Sequence, residues 1–269
     1  MTRREWVESP ILRERRTTIF IHGYHVDAER AKFWTKTMDA RLHKFGYRDS
    51  IIGLDWEGDE GTAADFLLNV DNARETGPAL VKMISTIRSH VPGVRISLLT
   101  HSLGAEVALA GLELLAKDGK RFVEVAAMTE AAVPAAYLMT GPNPNLKDLK
   151  EKEAYFGVDS LKPRIEDWGR YQDAPAAVDQ LFSFYSGTDT VLSDWYSFGT
   201  DYTALGSGPS TGLAQLGVLG PGHQINTAPG AMKGACPICG IKNHSSMAED
   251  KDDVVEVFFK ALVRRLNGE

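Results

Sequence analysis

The sequence predicts an α/β fold, with a mostly parallel central sheet and helices on both faces. Three observations carry this. Apolar segments of strand length alternate with longer segments of helical periodicity, the pattern of parallel strands joined by crossover helices. One junction, Val94–Ala105, passes from an apolar strand through a turn of small residues into an amphipathic helix, with Ser102 at the tip. Other segments of strand character end in His, Gly and Asp residues, as expected where functional loops gather at the carboxyl ends of parallel strands.

Each element can be justified in order. Thr17–Tyr24 is an apolar strand ending in His22-Gly23. Ala28–Lys44 reads as a helix with Ala31, Trp34, Met38 and Leu42 on one side. Ser50–Trp56 is the next strand. Ala64–Leu68 and Pro78–His90 read as two helices, the second turning Leu80, Ile84 and Ile87 inward. Ile96, Leu98 and Leu99 suit a buried parallel strand. In the following helix Ala105, Ala108, Leu109, Leu112 and Leu115 form an apolar stripe, with Glu106 and Glu113 off it. Phe122–Met128 and Gln180–Ser186 are further strands. The last helix, Lys251–Arg265, carries Val254, Val257, Phe258, Ala261 and Leu262 on one face.

The Ser102 turn is the strongest chemical signal. A strand can pass this abruptly into a helix only if the flanking residues are small. Gly104 meets that demand, and Thr100 stands where the pattern G-x-S-x-G has its first glycine. A nucleophilic serine needs a base, an orienting acid and oxyanion donors. The backbone N–H groups of Leu103 and of Tyr24, after Gly23, are the candidate donors. Asp189, in the turn after Gln180–Ser186, is the candidate acid, with Asp194 as its alternative. His244, in the loop before the last helix, is the candidate base, with His223 as its alternative. His22, Gly23, Trp56 and His101 are expected to border a substrate pocket.

The order strand-His-Gly, x-H-S-x-G, Asp, His resembles the alpha/beta-hydrolase superfamily. Within it the chain is most similar to bacterial serine hydrolases with a T/A-H-S-x-G elbow and a strand ending in Trp, here Leu54-Asp55-Trp56. The resemblance implies Ser102 as nucleophile, His244 as base, Asp189 as acid and the Tyr24 and Leu103 amides as oxyanion hole. It implies acyl chemistry on an ester or related small molecule, without naming the metabolite. An acyltransferase, lactonase or amidase would share the first half-reaction. A binding protein on the same fold would be expected to have a broken triad.

Composition narrows the function classes. At 269 residues the chain can form one domain with a large core. Its net charge of −6 argues against a nucleic-acid partner. No apolar run is long enough to span a bilayer, and the N-terminus lacks the apolar stretch of a signal peptide, so a cytoplasmic location is expected. The oligomeric state is not readable. Arg3, Arg4, Arg13, Arg15 and Arg16 read as a solvated tail.

Residues 136–177 are too long for an idle loop and are expected to form a small lid. The glycine-rich stretch 197–240 lies between acid and base but has no phosphate-loop pattern. Cys236-Pro-Ile-Cys239 contains both cysteines of the chain. Free thiols or a local disulfide are favoured over a metal, because a second such pair is missing. No cofactor or metal is expected.

Overall fold

The computed structural model describes residues 16–58, 66–140, 168–192, 204–210, 214, 219, 221–232, 234 and 236–269. Six strands form one sheet: β1 (Arg16–Ile21), β2 (Ser50–Leu54), β3 (Arg95–His101), β4 (Val123–Thr129), β5 (Val178–Tyr185) and β6 (Gln224–Asn226). Their order is β2-β1-β3-β4-β5-β6, and every pairing is parallel. The chain steps outward from β1 to β2, then crosses back to place β3 on the other side of β1. That reversal leaves a crevice at the carboxyl ends of β1 and β3, where ligands bind in sheets of this type.

Helices cover both faces: α1 (Ala28–Lys44), α2 (Phe66–His90), α3 (Gly104–Lys117), α4 (Ser246–Glu249) and α5 (Asp252–Asn267). Alternation along the strands divides the core. Ile19, Ile21, Ile96, Leu98, Ala126 and Met128 point toward α2 and α3, where Leu80, Ile84, Ala108 and Leu112 meet them. Phe20, Leu99, Val125, Ala127, Phe182 and Phe184 point the other way, toward Trp34, Met38 and Leu42 of α1 and Phe258, Phe259 and Leu262 of α5. Each of the buried Ile, Leu, Val, Met and Phe side chains contributes roughly 1.5–3 kcal/mol. A one-residue slip would turn both sets to the wrong layer, so the register is strongly fixed.

Two expectations are corrected. Pro78 does not open a helix, because α2 runs through it from Phe66 to His90. Close contact with α3 favours this single element. A Cβ on Gly77 would lie 2.8 Å from the Ala110 Cβ, and one on Gly111 would lie 3.0 Å from Leu80. The strand β6 also lies inside the glycine-rich stretch read as loop; at three residues it is too short to show a period. Ala64 lies outside the described residues. Among the described residues, no helix is long and apolar enough to cross a membrane.

The boundaries of the expected lid are described and its middle, residues 141–167, lies outside the described residues. The Gly169 amide donates to the Ala136 carbonyl at 2.9 Å, and that of Tyr171 to Tyr137 at 2.9 Å. The two described ends of the segment therefore lie side by side. Tyr137 and Tyr171 are buried there, edge to face at 5.3 Å between ring centres.

Candidate active site

Ser102 follows the last residue of β3 and takes the left-handed backbone, φ +53°. The turn is tied down on both sides. Its amide donates to the Thr129 carbonyl at 3.1 Å, and its carbonyl accepts from Ala105 and Ala132, each at 3.1 Å. Gly104 allows β1 to pass: a Cβ there would collide with the carbonyl oxygens of Ile21 and His22. Gly23 does the same from the other side, since its Cβ would lie 2.7 Å from that of Ser102. Thr100 is fully buried in β3, and its hydroxyl has no partner among the described residues.

Asp189 sits in the turn after β5 and is fully buried. Its Oδ1 accepts from the amides of Val191 at 3.0 Å and Leu192 at 3.2 Å. His244 lies between β6 and α4, in a loop held by Ser246 Oγ, which accepts from the amides of Lys242 and Asn243. The Asp189 and His244 loops are joined directly. The hydroxyls of Ser186 and Thr188 donate to the Ile241 carbonyl at 2.8 and 3.2 Å.

These loops bring three side chains into line. His244 Nδ1 lies 2.7 Å from Asp189 Oδ2, and its Nε2 lies 2.7 Å from Ser102 Oγ. An ionised carboxylate only accepts, so Nδ1 carries the proton and Nε2 is free to accept that of the serine. The alternative His223 instead packs its ring on Phe182, 5.0 Å between centres. The alternative Asp194 lies outside the described residues. Leu103 is the N-cap of α3, so its amide stands at the positive end of that helix. Tyr24 follows Gly23 and packs edge to face on Phe66.

His22, Trp56 and His101, expected to border the pocket, are buried like Ser102 itself and engaged with neighbouring backbone. His22 is a strut. Its Nδ1 donates to the Gly23 carbonyl at 3.0 Å, its Nε2 lies 3.3 Å from Asp55 Oδ1 and 3.4 Å from the Trp56 amide, and Trp56 Nε1 donates to the His22 carbonyl at 2.9 Å. His101 stands behind His244, where its Nε2 donates to the His244 carbonyl at 2.6 Å. Burial first, then the neighbouring His244, holds His101 well below the ordinary imidazole range, so it is neutral. Gly23, the fourth, packs directly on Ser102.

One residue has no counterpart in the sequence reading. Glu130, just past β4, is buried beside His101, with 3.5 Å between Oε2 and Nε2. Burial first, then the charge of Asp189 and a hydrogen bond to it, then Asp250, hold its carboxyl well above the usual range. The contact with His101 therefore joins two neutral groups and is not an ion pair. Its only sequence signal was its position, one residue beyond a strand that neighbours the Ser102 strand.

His101, Glu130 and His244 are also the one group of three possible metal ligands among the described residues. They fit a metal poorly, because His101 Nε2 and both nitrogens of His244 are engaged with protein atoms. Cys236 and Cys239 are free thiols in a separate turn. A hydrogen bond between them lowers Cys236 and pushes Cys239 up to about 11.

A family model described as alpha/beta hydrolase of unknown function (DUF900) matches residues 2–191. No curated protein matches the chain. Among solved structures it is similar to an esterase from Pyrobaculum calidifontis, with 12% identity over 94% of this chain and 76% of that one and a TM-score of 0.47. A putative esterase from Staphylococcus aureus gives 10% identity over 95% and 77% of the two chains, with a TM-score of 0.49. A thioesterase from the prodiginine biosynthetic pathway of Streptomyces coelicolor gives 12% identity over 97% and 93%, with a TM-score of 0.45. Identities this low carry nothing about substrate.

Proposed function

The chain belongs to the DUF900 family of alpha/beta hydrolases, and from that premise we propose that it is a serine hydrolase acting on a carboxylic ester. One observation carries the reading: the continuous chain from Ser102 Oγ through His244 to Asp189, with both links at 2.7 Å and the serine lifted on a left-handed turn. Isolated Ser, His and Asp residues are common. This linkage, at the carboxyl ends of a parallel sheet, is the arrangement that activates a hydroxyl.

In the proposed mechanism, His244 Nε2 takes the Ser102 proton as Oγ attacks the ester carbonyl. The amides of Leu103 and Tyr24 hold the oxyanion, helped by the field at the start of α3. Asp189 fixes the imidazole tautomer and stabilises the imidazolium. His244 then protonates the departing alcohol. Water, activated by the same imidazole, releases the acid and restores the serine. The segment 136–177 is proposed to act as a lid, supported by the side-by-side placement of its two described ends. Acyl transfer to an alcohol, or lactone or amide cleavage, would use the same first half-reaction.

Labelling with a fluorophosphonate, followed by turnover of a short-chain aryl ester, tests the reading. Wild type is expected to label, and Ser102→Ala to lose both label and turnover by roughly four orders of magnitude or more. His244→Ala is expected to fall similarly, while His223→Ala stays near wild type. Absence of label in wild type, or label retained by Ser102→Ala, overturns the assignment.

A further inference from the structure

Glu130 stands out on three independent geometric grounds. Its backbone is left-handed, φ +47°, a conformation that a non-glycine residue rarely takes. Its side chain is buried, and neither carboxyl oxygen meets a hydrogen-bond donor among the described residues. One of its oxygens also lies within 4.8 Å of a ring nitrogen of His244 and one of His101. The strained backbone is locked in place. The Glu130 amide donates to the Phe184 carbonyl at 2.9 Å, and the Gly206 backbone lies so close that a Cβ on Gly206 would stand 2.6 Å from the Glu130 Cα. Unusual backbone held this firmly beside a reactive group suggests that the side chain's aim matters.

Asp189, held by His244 Nδ1 at 2.7 Å, belongs to the same buried cluster, so the two carboxyls are neighbours. Two ionised carboxylates only accept, so the contact is stable only when one of them carries a proton. Asp189 already accepts three bonds, from His244 Nδ1 and from the amides of Val191 and Leu192. With its lone pairs so occupied by donors, Asp189 is the acceptor of the pair, which leaves the proton on Glu130.

We propose that Glu130 is a positioning residue for the Ser102–His244–Asp189 array, donating a hydrogen bond to Asp189 and thereby setting its aim and its basicity toward His244. The inference rests on the serine-hydrolase reading for its consequence in turnover, but not for the carboxyl contact itself. The ionisable groups around Glu130 are Asp189, Asp250, His101 and His244. Burial keeps His101 from competing, because it is neutral and engaged with the His244 carbonyl.

The test compares Glu130→Gln, which can still donate, with Glu130→Met, which fills the space and cannot. The His244 ring titration is followed by NMR in the full chain, alongside the pH profile of kcat/KM. Glu130→Gln is expected to leave the His244 midpoint and kcat/KM close to wild type. Glu130→Met is expected to raise the midpoint, by up to about one unit, because Asp189 loses a competing donor. It is expected to cut kcat/KM roughly tenfold. A midpoint lowered by about one unit or more in Glu130→Gln would mean an ionised Glu130 and overturn the proposal. So would a Glu130→Met protein that matches wild type in both readouts.

Should Glu130→Met fail to fold, the infrared spectrum decides. Wild type is expected to show a protonated-carboxyl band at neutral pH that Glu130→Gln removes, and its absence overturns the proposal. The titration and the infrared band need no turnover. A chain that passes both and takes no fluorophosphonate label would therefore fail as a serine hydrolase and keep this carboxyl pair.

Discussion

Ser102 holds a backbone conformation that costs an L-residue about 1–2 kcal/mol. Five contacts maintain it: three backbone hydrogen bonds and the two close passages of Gly23 and Gly104. Both Ser102→Ala and Ser102→Gly lose the bond to His244, but only glycine relieves the strain. Urea unfolding is expected to find Ser102→Gly more stable than Ser102→Ala by about 1 kcal/mol, with both inactive. Equal stabilities would mean that the turn stores no strain. Thr100 makes a second point at this scale. Its buried hydroxyl has no partner among the described residues, so Thr100→Val keeps the shape and removes a desolvated polar group. It is expected to leave activity intact and to match or exceed wild-type stability by up to about 1 kcal/mol, again by urea unfolding. The serine was legible because its turn is a local pattern. The roles of Glu130 and His101 were not, because His101 meets His244 from 143 positions away and Glu130 is brought to both only by the sheet.

At the scale of elements, the attachment of the 136–177 segment depends on a polar network across α2 and α3. Glu106, buried in the first turn of α3, accepts from Arg74 Nε of α2 and from the Tyr171 hydroxyl, both at 2.7 Å. Arg74 also donates to the Tyr137 hydroxyl at 2.6 Å. Burial raises the Glu106 carboxyl, and Arg74 works against that rise. Arg74→Met would leave the carboxylate buried without its cation, a loss expected to cost about 3 kcal/mol at neutral pH. The cost should shrink as pH falls and Glu106 takes a proton, so unfolding measured at neutral and acid pH checks both size and sign. The sequence showed α3 clearly, yet placed Glu106 merely off its apolar stripe. Helical spacing identifies the face of a residue but not the ion that meets it. The same limit explains Pro78: the chemistry of proline marks a helix start, while packing through Gly77 and Gly111 carries one helix through it.

For the whole molecule, the sheet order determines which groups share the interior behind the serine, and those groups couple the fold to pH. Burial keeps Glu130 protonated and His101 neutral. In the unfolded chain glutamate releases its proton near pH ~4.3 and histidine near ~6.5. Above about pH 4.3 the folded chain therefore holds one more proton at Glu130 than the unfolded chain does. Stability then falls by about 1.4 kcal/mol for each pH unit until the folded carboxyl itself ionises. His101 acts in the opposite sense: below about pH 6.5 the unfolded chain holds the extra proton, and stability falls as pH falls. Between these values the two slopes offset each other, and at higher pH only that of Glu130 remains. Glu130→Gln removes it and leaves every other titration in place. The difference in unfolding free energy between wild type and Glu130→Gln, measured by urea at a series of pH values from about 6.5 upward, is expected to decline at about 1.4 kcal/mol per unit. A flat difference would mean that Glu130 ionises as readily in the folded chain as in the unfolded one, and that the interior behind Ser102 accommodates two negative carboxylates side by side.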